Sequence, residues 1–334
     1  MNKNILITGG AGYIGSHVVE LLVKKKLKVF VLDNLIKGSK KLVDKKAIFI
    51  DADIRSTNLV NKILINNKID TVMHLAALTD VQESEKYKKK YYLNNIEGTE
   101  NLLKACKKTL VKNIIYSSSA GVYGNAKSPV HEKTKIKPIN YYSLTKLKGE
   151  QIIKKFSKKY KYNYCILRYF NVCGASTNGK IGIFNNKNKS LFKVIAKESL
   201  NINPKIDIFG KDFSTKDGTC IRDFIHVSDL AQIHYEMLNY IEKKKKSYTL
   251  NCGYGKGYTV LEVVKKFQKI IKRNIKINFK KKRRSEIIIS YSNNRKITKL
   301  IKWKPKFNNL DIMVKNSLSW EKKLIRTKNL ILND

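Results

Sequence analysis

The amino-acid sequence predicts an α/β protein in which a doubly wound parallel sheet precedes a smaller C-terminal domain. Over the first half of the chain, short apolar runs alternate with longer stretches of helical periodicity, as in a parallel sheet with crossover helices. The short runs are apolar throughout, which is typical of strands buried on both faces. After about residue 171 the elements become shorter, and Gly, Asn and Lys dominate residues 174–189.

Each short apolar run is a predicted strand, and each periodic stretch is a predicted helix. The strands cover residues 4–8, 28–32, 47–50, 71–75, 113–117 and 164–168, and the helices cover residues 13–25, 91–108 and 142–160. We place one domain at residues 1–170 and a second at residues 171–334. A segment near residues 222–242 is expected to return to the first domain.

The net charge is unusually positive. Lysine and arginine number 69 against 26 acidic residues, which gives a formal charge of +43. A field of this sign attracts polyanions such as nucleic acids. The basic runs are scattered along the chain, however, and residues 280–284 form the compact basic cluster. We therefore expect most lysines to cover solvated faces, with no nucleic-acid partner.

Cysteine, histidine and apolar patterns narrow the class further. The five cysteines include no CxxC pair, which predicts reduced thiols and a cytoplasmic location. No run of 18 apolar residues occurs and no basic, apolar leader precedes the first strand, so no membrane span or signal peptide is expected. His17, His74, His226 and His234 lack metal-ligand spacing, and no metal is expected.

A glycine-rich loop joins the first strand to the first helix. Residues 9–15 read GGAGYIG and satisfy both GxGxxG and GxxGxxG. Glycines let the backbone approach a pyrophosphate, and the helix N-terminus offers free N–H groups. Asp33 ends the second strand, where a carboxylate accepts both ribose hydroxyls and repels a 2′-phosphate. This context predicts a Rossmann-type domain that binds NAD, although nearby Lys37 leaves NADP open as an alternative.

Two further pairs of residues follow strands of the predicted sheet. Asp53 and Ile54 come after the third strand, and Ala76 and Ala77 come after the fourth. In open α/β folds, ligands bind at this carboxyl edge of the sheet. We therefore include both pairs in the candidate cofactor site, although Asp53 taken alone would be read as a helix N-cap.

A candidate catalytic set follows the fifth strand. Ser119 ends a run of three serines, and Tyr142 and Lys146 lie four residues apart in a predicted helix, so they share one face. A free tyrosine has a pKa of about 10, and a cationic neighbour lowers it. We expect Lys146 and a positively charged nicotinamide to lower the pKa of Tyr142, which would make it an acid and base.

The chain resembles the UDP-galactose 4-epimerase family along nearly its whole length. The segments that carry the resemblance are residues 8–17, 91–98, 117–124, 168–171 (RYFN) and 217–230 (DGTCIRDFIHVSDL). The first is shared by many sugar-nucleotide enzymes, whereas the last two together are more specific. The resemblance implies that residues 1–170 bind NAD and that residues 171–334 mainly bind a UDP-sugar.

The resemblance also implies roles for individual residues. Ser119 and Tyr142 would contact the sugar 4-hydroxyl, with Tyr142 as the acid and base, and Lys146 would hold the nicotinamide ribose. The implied cofactor-binding residues are Gly9, Gly12, Tyr13, Ile14, Gly15, Asp33, Asn34, Asp53, Ile54, Ala76, Ala77, Asn94, Ser117, Tyr142, Lys146 and Tyr169. The implied substrate-binding residues are Ser119, Asn171, Leu191, Phe209, Arg222, Arg283 and Glu286.

The substrate segment departs from the family pattern in several places. The family commonly reads Arg-Arg-x-Gly-Asp where this chain has residues 282–286 (KRRSE), so Glu286 is one methylene longer and Ser285 replaces a glycine. The register between Arg283 and Arg284 stays open. Ser190 precedes Leu191 where the family often has Asn. Ser290 lies where some members carry a bulky tyrosine, and we hypothesise that a small residue there admits N-acetylated sugars.

The implied activity is interconversion of UDP-galactose and UDP-glucose. The sugar would be oxidised at C4 to a 4-keto intermediate, would turn over, and would regain the hydride on its opposite face. A 4,6-dehydratase would carry an acidic pair where this chain has Ala120 and Gly121, which counts against elimination. Epimerisation of another UDP-sugar (pentose, uronate or N-acetylhexosamine) stays open, as does a distant alternative, a non-catalytic NAD-sensing protein that binds nucleic acid.

The resemblance also suggests a homodimer formed through the predicted helices at residues 91–108 and 142–160. Lysines on those helices would oppose such pairing, so a monomer stays open as an alternative. The lysines concerned are Lys104, Lys107, Lys154 and Lys155.

Overall fold

The computed structural model describes residues 3–185 and 188–331, so the outer ends of the two predicted domains, at residues 1 and 334, lie outside it. The strands are β1 (Asn4–Thr8), β2 (Lys28–Asp33), β3 (Ile48–Asp51), β4 (Thr71–His74), β5 (Asn113–Ser119), β6 (Asn163–Tyr169), β7 (Asn171–Cys173), β8 (Lys205–Phe209), β9 (Ile221–His226), β10 (Tyr248–Cys252), β11 (Gly257–Thr259), β12 (Lys276–Lys280) and β13 (Ile289–Ser290). The helices are α1 (Tyr13–Lys24), α2 (Thr57–Asn66), α3 (Val81–Lys86), α4 (Lys88–Tyr91), α5 (Gly98–Ala105), α6 (Tyr141–Tyr160), α7 (Leu191–Glu198), α8 (Val227–Lys244), α9 (Val260–Ile271), α10 (Arg295–Ile301) and α11 (Leu310–Ile331).

Seven parallel strands form the central sheet, in the order β10-β6-β5-β4-β1-β2-β3. The chain runs outward from β1 to β3 and then returns to β4 on the other side of β1. The carboxyl ends of β1 and β4 therefore border the point where the strand order reverses, which is where ligands bind in open α/β sheets. This topology confirms the predicted doubly wound α/β fold.

Two hydrophobic cores cover the two faces of the sheet. Side chains of a strand alternate between faces, so Ile5 and Ile7 belong to one core and Leu6 belongs to the other. The first core also takes side chains from α1, α7, α8, α9 and α11, and the second takes side chains from α2, α5 and α6. One apolar cluster thus joins the sheet to the second half of the chain.

In residues 171–185 and 188–331, the described part of the second half, there are two smaller sheets. Strands β11, β9 and β13 lie side by side, with β7 also paired to β9, and β12 pairs with β8. Helix α8 packs on α1, and β10 then adds to the edge of the central sheet beside β6. In the described ranges, no helix combines the length and apolarity needed to span a bilayer.

Two predicted elements differ from the structure in ways that matter for the site. Strand β5 continues two residues further than predicted, so Ser119 is its last residue. The helix predicted at residues 91–108 is present through Ala105, but it is not regular, because a π-helical turn at Tyr92–Glu97 separates α4 from α5. A π turn accommodates an extra residue within a helix, and here it carries both candidate Asn94 and the buried Asn95.

Candidate active site

The glycine loop packs closely between β1, β4 and α1. Gly9 has φ +74°, and a Cβ there would lie 2.6 Å from the amide nitrogen of Ala76. A Cβ at Gly15 would lie 2.1 Å from the carbonyl oxygen of Gly9. Gly12 caps α1 without a side-chain hydrogen bond, so the first N–H groups of the helix face outward without an intrahelical acceptor. This loop therefore fits the pyrophosphate of a dinucleotide.

Asp33 lies at the end of β2, directly beside this loop. Its Oδ2 accepts a hydrogen bond from the Ala11 N–H at 3.0 Å, and its Oδ1 accepts one from the Leu35 N–H at 2.9 Å. Burial raises the pKa of Asp33, and these two hydrogen bonds oppose the rise. The carboxylate is thus held at the position that the sequence predicted for binding ribose hydroxyls. Lys37, the residue that left NADP open, lies 3.5 Å from the carboxylate of Glu83.

The other candidate cofactor residues lie along the same sheet edge. Asn34 donates to Asp53 Oδ2 at 2.9 Å, and Arg55 lies 2.8 Å from that oxygen. The hydrogen bonds from Arg55 lower the pKa of Asp53 to about 2. Ile54 follows Asp53 and is buried. The carboxylate of Asp53 is therefore engaged by Asn34 and Arg55 of the protein itself.

Asn95 is a functional candidate that the sequence analysis missed. Its amide accepts from the Leu78 N–H at 2.9 Å, donates to the Leu78 carbonyl at 2.9 Å, and donates to Thr145 Oγ1 at 3.1 Å. Asn94 donates to Asn95 Oδ1 at 2.9 Å. The side chain thus ties the loop that follows Ala77 to the helix that carries Lys146. The local signal, two adjacent asparagines in a helical stretch, does not show which one is buried.

The catalytic candidates meet where β5 ends against α6. Asn140 caps α6 by accepting from the Ser143 N–H at 2.9 Å, which places Tyr142 in the first turn. Lys146 Nζ donates to the Ser117 carbonyl at 2.8 Å and lies 3.4 Å from Ser117 Oγ. Ser119 hydrogen-bonds Tyr142 through its side chain. The structure therefore brings together all three residues that the sequence singled out.

The electrostatics of this set differ from the expectation. Burial raises the pKa of Tyr142 to about 12, and the hydrogen bond from Ser119 only partly opposes the rise. Burial also lowers the pKa of Lys146 to about 7. The expectation that Lys146 lowers the pKa of Tyr142 is therefore not met by the protein alone, because burial dominates and the opposing contribution comes from Ser119 rather than from Lys146. A cationic ligand beside Tyr142 would supply the missing stabilisation of the phenolate.

Tyr169 lies beside Ser119 in the sheet register, so its backbone reaches the site. Its hydroxyl, however, is 2.6 Å from His234 Nε2 in the core, and burial raises the pKa of this tyrosine. The side chain of Tyr169 thus serves packing between β6 and α8. His234 and His74 are both buried, with the pKa of His234 lowered to about 4 and that of His74 to about 3 by desolvation.

Four of the substrate candidates gather in the second half of the chain. Arg283 stacks on the ring of Phe209, with its guanidinium carbon 3.8 Å from the ring centroid. Arg222 Nη2 lies 2.7 Å from Glu286 Oε1. Arg222, Arg283 and Glu286 all act electrostatically on the buried thiol of Cys220. Two arginines, a carboxylate and an aromatic ring thus form a set suited to a nucleoside diphosphate.

The remaining substrate candidates lie outside this set of contacts. Asn171 is exposed in β7, which pairs with β9 alongside Phe224. Leu191 is the first residue of α7 and packs against the larger core. Ser290 pairs with Arg222 in the register of β13 and β9, so the small residue of interest lies beside an arginine of this set. Ser285, in place of glycine, adopts φ +55°.

Comparisons with known proteins agree with this geometry. Residues 5–253 match the model of the NAD dependent epimerase/dehydratase family. The UDP-glucose 4-epimerase of Lactobacillus helveticus is 41% identical over 95% of this chain and 97% of that protein. The solved UDP-glucose 4-epimerase of Bifidobacterium longum, in complex with NAD+ and UDP, is 34% identical with a TM-score of 0.91, covering 96% of this chain and 98% of that one.

A further solved relative, the UDP-Glc/GlcNAc 4-epimerase of Campylobacter jejuni, is 38% identical with a TM-score of 0.83, covering 96% of this chain and 99% of that one. These relatives confirm the resemblance found in the sequence. The glycine loop, the Asp33 carboxylate and the Ser119, Tyr142 and Lys146 set all lie within the matched residues. The chain belongs to the NAD dependent epimerase/dehydratase family.

Proposed function

We propose that this chain interconverts UDP-galactose and UDP-glucose by reversible oxidation at C4 of the sugar. The observation that carries the proposal is the contact of Tyr142 with Ser119 and of the buried Lys146 with Ser117 at the end of β5. The set lies at the carboxyl edge of a sheet whose first loop fits a dinucleotide. The arginine and aromatic set in the second half of the chain suits the UDP part of the substrate.

The cofactor would be NAD, held by residues already in place. The glycine loop would take the pyrophosphate, the carboxylate of Asp33 the adenosine ribose, and the ammonium of Lys146 the nicotinamide ribose. When bound, NAD⁺ supplies an acceptor for the hydride of the sugar C4 and a positive charge beside Tyr142. Ser117 and Asn94 would also contact the cofactor, whereas the side chains of Asp53 and Tyr169 are engaged by Arg55 and His234.

The protein's own side chains would handle the proton. Tyr142, as phenolate, would accept the proton of the 4-hydroxyl while the C4–H bond breaks, which leaves a 4-keto sugar. Ser119 would hydrogen-bond the same oxygen and hold it beside the phenol. After the sugar turns over, Tyr142 would return its proton to the oxygen at C4. Tyr142 therefore ends each turnover in the protonation state in which it began.

The substrate would be anchored by its UDP part while the sugar turns. Arg222 and Arg283 would donate to the pyrophosphate, because a guanidinium fork binds two oxygens at once. Glu286 would accept from the uridine ribose, and Phe209 would pack against the nucleoside. Asn171 and Leu191 would complete the site.

A second substrate class is favoured by one position. Ser290 lies beside Arg222 in the sheet, and its small side chain would leave room for an N-acetyl group on the sugar. A relative of known structure is named a UDP-Glc/GlcNAc 4-epimerase. We therefore expect this chain to accept UDP-N-acetylglucosamine as well. Ser290→Tyr should abolish that activity and spare UDP-galactose.

We also propose a homodimer, no nucleic-acid partner and a cytoplasmic location. The dimer would form through α5 and α6. The lysines there are partly engaged, since Lys104 pairs with Glu100 at 3.2 Å and Lys107 Nζ lies 5.2 Å from the ring centroid of Tyr160. The five buried, unpaired cysteines suit a reducing compartment. Light scattering gives the oligomeric state, and salt-sensitive retention on DNA would contradict the second proposal.

The test of the function is a two-stage assay. Purified protein is incubated with UDP-galactose and no added NAD, the reaction is stopped, and UDP-glucose is then measured with UDP-glucose dehydrogenase. Turnover with resident NAD, and its loss in Tyr142→Phe, is the expected result. Bound NAD without turnover would point instead to pentose or uronate substrates. Absence of both would overturn the assignment.

A further inference from the structure

One face of α6 contacts three successive serines of β5. Tyr142, Lys146 and Glu150 are spaced four residues apart and share this face. Tyr142 hydrogen-bonds Ser119, Lys146 hydrogen-bonds Ser117, and Glu150 Oε1 accepts from Ser118 Oγ at 2.6 Å. The proposed mechanism uses the first two contacts and leaves the third unexplained.

Glu150 is fully buried and forms a bidentate ion pair with the buried Arg168 of β6. Arg168 Nε lies 2.9 Å from Oε1 and Nη2 lies 2.7 Å from Oε2. Arg168 also donates to Tyr123 at 2.8 Å, and Tyr123 in turn donates to Asn251 of β10 at 2.7 Å. Every member of this network has a partner, so α6 is fixed against three strands of the sheet.

A buried ion pair of this kind contributes little net stability to a fold. Taking both charges out of water costs several kcal/mol per ion, and apolar side chains of similar volume often serve as well or better. A buried carboxylate one helical turn from a buried ammonium has an electrostatic effect that apolar packing cannot reproduce. The position of Glu150 relative to Lys146 therefore points to a role in the reaction.

Other titratable groups near Lys146 could also act electrostatically on its ammonium. On β4 and β5, His74 and Tyr116 are neutral, because burial lowers the pKa of His74 and raises that of Tyr116. Tyr142 on the same helix is neutral in the protein alone. Glu150 raises the pKa of Lys146 against the effect of burial. Lys154 Nζ lies 3.9 Å from Glu150 Oε2, and its side chain is partly exposed.

We propose that Glu150 is a positioning residue for the reaction: held by Arg168 and Ser118, its carboxylate fixes α6 against β5 and keeps the ammonium of Lys146 charged. The proposal rests on the proposed function, because it concerns the lysine assigned to the cofactor ribose. It adds a residue outside the reacting groups, which acts through Lys146.

The test compares Glu150→Gln with Arg168→Lys. Each substitution disturbs the ion pair, but only the first removes the negative charge near Lys146. If Lys146 acts as an ammonium, activity is lost as pH rises through its pKa, and loss of Glu150 lowers that pKa. The pH at which kcat falls on the alkaline side (the alkaline limb) should be about one unit lower in Glu150→Gln than in wild type. Above that pH, kcat of the variant should be roughly tenfold lower than that of wild type. Arg168→Lys should keep the wild-type limb and lose melting temperature.

A readout that does not depend on epimerisation separates this proposal from the proposed function. Resident NAD after gel filtration at about pH 6.5 should fall in Glu150→Gln and stay bound in wild type, because the pKa of Lys146 is about 7 in wild type and about one unit lower in the variant. An inactive wild type that shows this difference would refute the activity and keep the inference. An active wild type, with a Glu150→Gln variant that matches it in both readouts, would overturn the inference.

Failure of Glu150→Gln to fold would be answered by a second variant. Glu150→Gln with Arg168→Gln replaces the ion pair by two amides that can hydrogen-bond each other. This double variant should also show the alkaline limb at lower pH. If it folds with the wild-type limb, or if neither variant folds, the pair serves the fold alone and the proposal is wrong.

Discussion

The proposed catalytic region and the proposed UDP-anchoring set differ in how they hold their charged groups. Lys146 is only 3% exposed, and its ammonium is held by a strand carbonyl. In the anchoring set, defined by Phe209, Arg222, Arg283 and Glu286, the arginine at 283 is exposed and stacked on an aromatic ring. Arg222 and Glu286 pair with each other at 2.7 Å. One region is organised by the fold, and the other by contacts that a ligand can replace.

This difference teaches which properties each region should control. Buried groups in a dry site keep their geometry through the reaction, which favours transition-state stabilisation. Partly exposed ion pairs exchange partners at low cost, because water screens them. Changes in the catalytic region should therefore appear in kcat and in stability. Changes in the anchoring set should appear in KM, with little effect on folding.

The largest expected effect is on proton transfer by Tyr142. Tyr142→Phe should lower kcat about a thousandfold, since positioned acid–base groups contribute roughly 10²–10⁴-fold. Tyr141→Phe, one residue earlier on α6, is the matched control and should stay active. Steady-state kinetics with UDP-galactose measure both. Comparable activity in the two variants would remove Tyr142 from the mechanism.

The next effect is on stability, through Lys146. Its pKa in the folded protein, about 7, is below the unfolded value of about 10.4. The unfolded state therefore binds more protons between these values, and wild-type stability rises with pH across that window. Lys146→Met should be inactive yet more stable at pH 7, by about 2 kcal/mol after allowing for the lost hydrogen bond. Denaturant unfolding at pH 7 and pH 9 should show the advantage shrinking as pH rises.

Substrate anchoring gives a smaller effect, and it tests the register of the basic cluster. Arg283→Ala should raise KM for UDP-galactose roughly thirtyfold, corresponding to about 2 kcal/mol for a charge-assisted contact. Its kcat and unfolding free energy should stay near wild type. Arg284→Ala is the matched control and should leave KM unchanged. The reverse result would assign the pyrophosphate contact to Arg284.

The smallest effect concerns the turn at Ser285. A non-glycine residue at φ +55° is strained by about 1 kcal/mol, and glycine would relieve this while costing some unfolded-state entropy. Ser285→Gly should therefore stabilise the protein by about 0.5 kcal/mol with unchanged kcat. Ser285→Ala should show no such gain, because alanine keeps the strained conformation. A larger gain from alanine would contradict the argument from φ.

Much of the fold and the choice of candidate catalytic residues could be made from the sequence because their signals are local. Apolar runs, the glycine loop and the four-residue spacing of Tyr142 and Lys146 are visible in short windows of sequence. The π turn and the buried Asn95 could not be predicted in this way. Asn95 is held by a hydrogen bond to Leu78, which is 17 residues away along the chain, and no local pattern marks this contact.

The sequence by itself determined the parallel sheet, the dinucleotide loop and the choice of candidate catalytic residues, because periodicity, glycine and side-chain chemistry act over a few residues. Only the tertiary structure decided the sign of the pKa shift at Tyr142 and the pairing of Glu150 with Arg168. The same holds for the pairing of Arg222 with Glu286. The physical reason is that desolvation and ion pairing depend on groups brought together from distant parts of the chain, and burial is a property of the packed molecule.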